Sequence, residues 1–452
     1  MRQLINTLSF GLLFCCLTAC GDRLELAPEQ SISGELATAT EANVRNILVG
    51  AYAEAGKDES YGGQMQFMAD LLGAGDRISW VGTFLDPRQV VTKDILTDNN
   101  FIALFWNNHY ATINQANLVL DNLDKIESDP EERNRIEGEA RFLRGLCYFD
   151  LVRHFGSGDM GVPLRTTGIS DYAVDLSLDR SPTSAIYDLI LADLQTSVDI
   201  LPGSNSFFAD EYSAQALLAR VNLQLGNYEV ARTAANNVIL NSGRMLTADY
   251  AGAFNNDENS TEDLFAFQVT SQDGQNDLIN HYADEENGGR GGDIIVTDAY
   301  LTLFTDTLDV RGDYFYASRQ SGNRLTGKYS NQFGNIALIR LAEMYLIRAE
   351  TNLRLDTEVG ASPLADLNTI RARAGAELLE DDDDNIEDDI SINTILEERF
   401  RELAFEGFFI HDIRRLGLSV DGFDADANEL VFPIPQSEID TNPAITQNPG
   451  YN

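Results

Sequence analysis

Apolar residues recur along most of the chain at spacings of three and four, the period of helices that bury one face. Residues 43–55 and 101–126 carry this pattern. Residues 135–155 repeat it, with Phe142, Leu146, Phe149 and Val152 on one stripe, and Gly156, Gly158, Gly161 and Pro163 end the run. Ser181-Pro182-Thr183 predicts the start of another helix, with Ser181 as N-cap and Pro182 at the first helical position, reaching about Ile200 before Pro202-Gly203. Between 213 and 240, Ala219, Gly226, Tyr228 and Ala231 fall at the spacing of a tetratricopeptide helix-turn-helix. The alanines let two antiparallel helices approach, and Gly226-Asn227 makes the turn. Residues 336–355 with 364–374 predict a second such pair, and 395–416 a further long helix. One pair cannot bury its apolar face alone, so the pairs are expected to stack.

Two stretches depart from this rhythm. Residues 60–100 and 243–335 are rich in Gly, Asn and Asp and show few clean helices. Irregular segments of that length inside a compact protein are functional or disordered. Their aromatics, among them Tyr61, Phe67, Trp80, Phe84, Tyr282, Tyr300, Tyr314 and Tyr316, argue against disorder. The expected fold class is mostly α: a tetratricopeptide-like hairpin scaffold with long, loop-rich insertions that form a ligand-binding face.

The N-terminus belongs to neither part. Arg2 precedes a mostly apolar run from Leu4 to Leu17, shorter than the about 20 residues a spanning helix needs. Leu17-Thr18-Ala19-Cys20 then places a small residue before a cysteine, the pattern for cleavage before Cys20 and acylation of its thiol. Each buried methylene adds about 0.8 kcal/mol, so several acyl chains would hold the protein on a membrane. Removal of 1–19 leaves Cys147 as the one other thiol, inside an apolar helical pattern, where it reads as a small buried hydrophobe.

Charge narrows the function. With 32 basic and 72 acidic residues the net charge is −40, which argues against nucleic acid and against anionic headgroups as partners. His109, His154, His281 and His411 are scattered without metal-ligand spacing, so no metal and no cofactor is expected. There is no Gly-x-Ser-x-Gly elbow and no phosphate-cradling loop. The glycine-rich stretch 287–293 follows no clear strand and reads as a mobile loop. Glu398, Glu402 and Glu406 share one predicted helix face near Arg399, Arg401, Arg414 and Arg415, which reads as an ion-pair lattice more readily than as catalysis. The acidic run from Glu380 to Asp389 lacks the alternation and glycine of a calcium loop and reads as solvated. Arg311-Gly312-Asp313 reads as a turn.

A series of motifs, in order and along nearly the whole chain, resembles one family. Leu24-Glu25-Leu26-Ala27-Pro28 follows Cys20; Phe105-Trp106, Tyr110, Ile113, Asn114 and Asn117 come next. Glu139 to Arg144, Tyr148-Phe149, Phe155-Gly156 and Gly161-Val162-Pro163-Leu164 follow. Arg340 to Glu350, Leu367 to Gly375, Glu398-Arg399, Phe405-Glu406-Gly407 and Asp412 to Arg415 lead to Pro433-Ile434-Pro435, Asn442-Pro443 and Thr446 to Tyr451. Together these resemble the SusD/RagB family of outer-membrane nutrient-binding lipoproteins. Phe409 and His411 depart from its usual Gly-His-Arg-Trp-x-Asp pattern.

The resemblance implies stacked helices cradling a variable ligand-binding part, and non-catalytic capture of an oligosaccharide or polysaccharide. It further implies delivery to a SusC-like TonB-dependent transporter in the outer membrane, which the lipid anchor at Cys20 would face from the exterior. The expected organisation is a signal peptide 1–19, a tether 20–40, a helical part 41–242, a variable part 243–335 and a C-terminal helical part 336–452. A pyranose offers an apolar face and a rim of hydroxyls, so flat aromatics flanked by hydrogen-bonding side chains suit it. Trp80 is the leading candidate, beside Asp76, Arg77 and Phe84; Tyr282, Arg290 and Tyr300 are candidates from the second insertion. Trp106, on an apolar stripe, is expected in the core. The rival readings are a surface glycoside hydrolase, which needs two facing carboxylates in a cleft, and a tetratricopeptide factor that binds only proteins.

Overall fold

The computed structural model describes residues 37–271, 276–380 and 390–451, so Cys20 and the acidic run from 381 lie outside the described residues. Helix α1 (Glu41–Ala55) starts where the Thr40 hydroxyl accepts the Asn43 N–H. Then come α2 (Gln64–Gly73), strand β1 (Ile78–Trp80) and α3 (Leu85–Thr92). The first insertion therefore holds two short helices that its polar composition hides. Helix α4 (Asn100–Asp121) stops short of the expected end, and residues Leu123–Lys125 form a 3-10 turn instead. Helix α5 (Pro130–Phe155) begins at Asp129 with Pro130 in its first turn. From Ile136 onward only Glu137, Arg141 and Arg153 reach solvent even in part, because α4 packs on one side and α6 (Thr183–Ile200) on the other. Cys147 and Trp106 are buried in this core as expected.

Ser181 does not cap α6. Its backbone exchanges hydrogen bonds with Gly161 and Val162, and the helix starts at Thr183 behind Pro182. The tetratricopeptide-like hairpin is α7 (Glu211–Gln224), opened by a capping box of Asp210 and Ser213, and α8 (Tyr228–Asn241). The second insertion follows as β2 (Asp263–Phe267), α9 (Asp277–Tyr282), β3 (Ile294–Val296), α10 (Asp298–Leu301), β4 (Phe315–Ala317) and β5 (Arg324–Thr326). Residues 336–355, expected as one helix, divide into β6 (Ile336–Arg340) and α11 (Leu341–Leu355), because the first five residues pair antiparallel with β2. Next come α12 (Pro363–Arg373), α13 (Ile392–Glu402), α14 (Phe409–Arg415) and α15 (Gln436–Thr441).

The expected long helix over 395–416 is thus broken between α13 and α14. Phe405 and Gly407 have φ of 63° and 85°, and the Gly407 N–H donates to the Asp70 carboxylate at 3.2 Å. A Cβ at Gly407 would meet the Cα of Gln66 at 2.9 Å, so the close approach of α2 sets the break. The apolar run Leu403-Ala404-Phe405 hides it from any periodicity argument.

The large helices pass contact along in order: α1 to α4, α5, α6, α7, α8, α11 and α12. This is the expected mostly-α stack, each helix completing the burial of its neighbour. The strands among the described residues form three separate two-stranded antiparallel ladders, β1–β3, β2–β6 and β4–β5. Among the described residues no helix is long and apolar enough to cross a membrane.

Candidate functional site

The β1–β3 ladder joins the two insertions. Ile78, Ser79 and Trp80 pair with Val296, Ile295 and Ile294, and the Val81 N–H extends the pairing to the Asp293 carbonyl at 2.8 Å. Trp80 and Phe84 from the first insertion thereby stand beside His281, Arg290 and Asp293 from the second. Trp80 is only 5 % exposed; its indole stacks on Phe67 and its N–H donates to the Phe84 carbonyl at 3.0 Å. Trp80, the leading candidate for a ligand platform, is thus a support beneath the surface, because a buried indole needs a hydrogen-bond acceptor and Phe84 supplies it. Phe84 is the exposed ring, at 39 %. The Arg290 guanidinium lies 4.3 Å from the Phe84 ring centroid, within cation–π range, and its Nε approaches Asp293 at 3.1 Å.

Beneath them His281 is gripped from both sides, by Asp293 at 2.8 Å and Asp277 at 3.4 Å, with its ring against Phe67 and Trp80. Burial alone would push this imidazole down, but the two carboxylates outweigh it and raise its pKa above the ordinary value. Partial desolvation and the neighbouring Asp277 carboxylate push the Asp58 carboxyl up to about 6. Around Phe84 the surface exposes Val81, Leu85 and Arg88, whose guanidinium donates to the Gly82 carbonyl at 2.9 Å. The result is an exposed apolar ring with one face covered by the Arg290 guanidinium and with the exposed Arg88 four residues on. Such a surface can stack on the apolar face of a sugar and donate to its hydroxyls.

The other candidates are placed differently. Tyr282 and Tyr300 are both 0 % exposed, their hydroxyls donating to Asp70 at 3.2 Å and the Phe400 carbonyl at 3.0 Å, and both rings contact Phe405. They are core residues of the second insertion and offer no face to a ligand. Arg77 packs its guanidinium over Phe400, 5.0 Å from the centroid, and the Asp76 carbonyl accepts the Thr297 hydroxyl at 2.6 Å. Neither residue is brought to Phe84. His281, Asp277, Asp293 and Arg88 carried no local signal, since their roles come from long-range pairing.

The stretch 287–293 is pinned, not a mobile loop. The Gly289, Arg290 and Gly292 N–H groups donate to the Asp284, Asn280 and Ala283 carbonyls. A Cβ on Gly289 would sit 2.0 Å from the Ala283 oxygen, so glycine is there for close packing. That packing holds Arg290 in place.

A cavity of about 730 Å³ lies elsewhere, between α4 and the segment 163–172, with Ala37 in its wall. Several of its polar side chains are engaged: Asn114 bonds Ile169 and Tyr172, Asn117 bonds the Arg165 carbonyl, and the Tyr110 hydroxyl donates to the Pro163 carbonyl, whereas the Gln115 Oε1 has no partner. These side chains hold a connecting segment in place, whereas Phe84 and Arg88 face solvent.

The three glutamates form an ion-pair lattice, as their spacing suggested, although Glu406 lies past the end of α13. Glu402 meets Arg340 at 3.0 Å, Arg311 at 3.4 Å and Arg373; Glu406 meets Arg340 and Lys328, each at 2.6 Å. Burial would raise the Glu402 pKa, but the three guanidinia hold it down at about 2. Arg311 is buried in the same lattice, so the Arg-Gly-Asp tripeptide is not presented at the surface.

Two family models match the chain. One, described as "Starch-binding associating with outer membrane", covers residues 22–223, and the other, the SusD family, covers 314–430. SusD-like protein P2 of Formosa agariphila is 26 % identical over 98 % of this chain and 99 % of its own. A solved SusD superfamily protein of Bacteroides thetaiotaomicron superposes with a TM-score of 0.80 at 27 % identity, over 91 % of this chain and 100 % of that one. A laminarin-binding SusD-like protein shares the fold with a TM-score of 0.75 at 23 % identity, over 91 % of this chain and 100 % of its own.

Proposed function

The chain belongs to the SusD/RagB family, and on that premise we propose that it binds an oligosaccharide or polysaccharide without turning it over. Its place is the outer membrane, anchored through an acylated Cys20 and facing the exterior, where it hands the glycan to a SusC-like TonB-dependent transporter. The family models and the sugar-binding names of its relatives support carbohydrate as the ligand class. The observation that carries the site is the solvent-facing Phe84 ring with Arg290 across it and Arg88 beside it, held up from below by Trp80 and His281.

The net charge of −40 disfavours strongly anionic glycans, which makes a neutral or weakly charged chain the expected ligand. Affinity gels and calorimetry with residues 21–452 against neutral glycans test this. Phe84→Ala is expected to weaken binding at least tenfold, about 1.4 kcal/mol, while changing stability by less than about 1 kcal/mol. Unchanged affinity in that variant removes Phe84 from the site; released reducing sugar would establish the hydrolase reading instead.

A further inference from the structure

The four histidines show no ligand spacing along the chain, yet the fold brings two of them together. Helix α5 carries Asp150 and His154 one turn apart on one face, and α14 lays His411 against them. Ligand atoms of these three buried residues all lie within 4.8 Å of one another, the one such His/Cys/acid group among the described residues. The His154 Nδ1 lies 2.8 Å from the Asp150 carbonyl oxygen, which can only accept. In the neutral ring the proton therefore sits on Nδ1, and Nε2 presents a lone pair. That Nε2 has no hydrogen-bond partner in the protein, and neither has Nε2 of His411. The two residues are 2 % and 4 % exposed, and their rings stand perpendicular with centroids 4.7 Å apart.

Buried polar atoms are nearly always paired, so two unpaired imidazole nitrogens within one close histidine–carboxylate group are an uncommon combination. Asp150 Oδ1 accepts twice from the Arg153 guanidinium and Oδ2 accepts from the Tyr61 hydroxyl at 2.7 Å, which leaves one acceptor position on Oδ2. A cavity of about 690 Å³ lined by His411, Val152, Arg153 and Gly156 gives an approach from outside.

We infer that Asp150, His154 and His411 bind one divalent transition-metal ion of the zinc class, with water from that cavity completing the shell. Two imidazoles and a carboxylate suit zinc, and the Nδ1–carbonyl bond is the usual outer support of a ligating histidine. The role is structural: the ion ties central helix α5 to C-terminal helix α14. The Arg153 guanidinium competes for the same carboxylate, so the site is weaker than a thiolate-rich one.

The test uses tag-free residues 21–452 stripped with a chelator and titrated with Zn²⁺ alone. One equivalent is expected to bind and raise the thermal midpoint, and Co²⁺ should give the absorption bands of a tetrahedral histidine-ligated ion. His411→Asn and His154→Gln should each weaken binding at least tenfold, whereas His281→Gln, at the other histidine–carboxylate cluster, should leave it unchanged. Absence of stoichiometric Zn²⁺ binding by the unsubstituted protein overturns the site and assigns the two nitrogens to a bridging water. Equal loss in His281→Gln assigns the ion to the glycan-facing cluster and overturns it as well. If a variant fails to fold, the Co²⁺ bands of the unsubstituted protein decide alone.

Discussion

The stacked helices and the joined insertions are both well packed, but they are held by different means. In the stack, each helix buries its apolar face on the next, with contacts mostly between neighbours in sequence. The insertions bury aromatics too, yet their order rests on a short ladder between β1 and β3 and on polar groups that reach across the chain. Asp70 of α2 accepts both the Gly407 N–H and the Tyr282 hydroxyl. Between the two regions lies the Glu402–Arg340–Arg311–Arg373 lattice, contributed by both. A scaffold can be specified by local periodicity; a binding face assembled from distant segments needs directional bonds.

The comparison can be broken most strongly at the lattice. Glu402→Ala leaves three buried guanidinia without their shared partner, and a loss of about 3–5 kcal/mol is expected in denaturant unfolding. Retention of stability within 1 kcal/mol would show that the lattice relaxes or hydrates. Within the insertions, Trp80→Ala should cost about 3 kcal/mol, since it truncates a buried indole, and should weaken glycan binding through the loss of support for Phe84. A variant that lost binding with unaltered stability would return Trp80 to the surface.

A third effect is read against pH. Burial pushes the Asp70 carboxyl up to about 8, far above the ordinary carboxylate value of 3.8. A carboxyl raised in the folded state stabilises it below the unfolded value, and this contribution is lost as pH rises through the folded one. Between about pH 4 and 8 the unsubstituted protein should therefore lose stability relative to Asp70→Asn, with a slope of up to about 1.4 kcal/mol per pH unit. Parallel stability curves for the two proteins would show that Asp70 is ionised in the fold. Asparagine is the informative substitution because it can accept from Gly407 and donate to Tyr282.

The stack was legible in the sequence because its signals are local: Thr40, Asp129 and Asp210 cap their helices, and glycine or proline follows the ends of several. The break at Phe405 and Gly407 was not, since the residues there continue an apolar run and only the packing of α2 turns the backbone. The strand Ile336–Arg340 was hidden for the same reason, its partner lying in β2. At the candidate site, the sequence led to Trp80, Phe84 and Arg290 but not to which ring faces solvent. Tyr282 and Tyr300 stand in polar surroundings in the sequence, yet their hydroxyls are satisfied inside the core. His154 and His411 illustrate the limit: no spacing rule connects residues that only the tertiary fold makes neighbours.

The ladder between Ile78 and Val296 has a consequence for the order of events during folding. Nearly half the chain separates the two residues, so β1 stays unpaired until the polypeptide past Val296 has been made. Closing so long a loop places this contact late on the pathway, after the locally encoded helices have formed. The surface around Phe84 thus matures after the locally encoded helices, and a chain interrupted before Val296 would carry α1 to α8 with Trp80 uncovered.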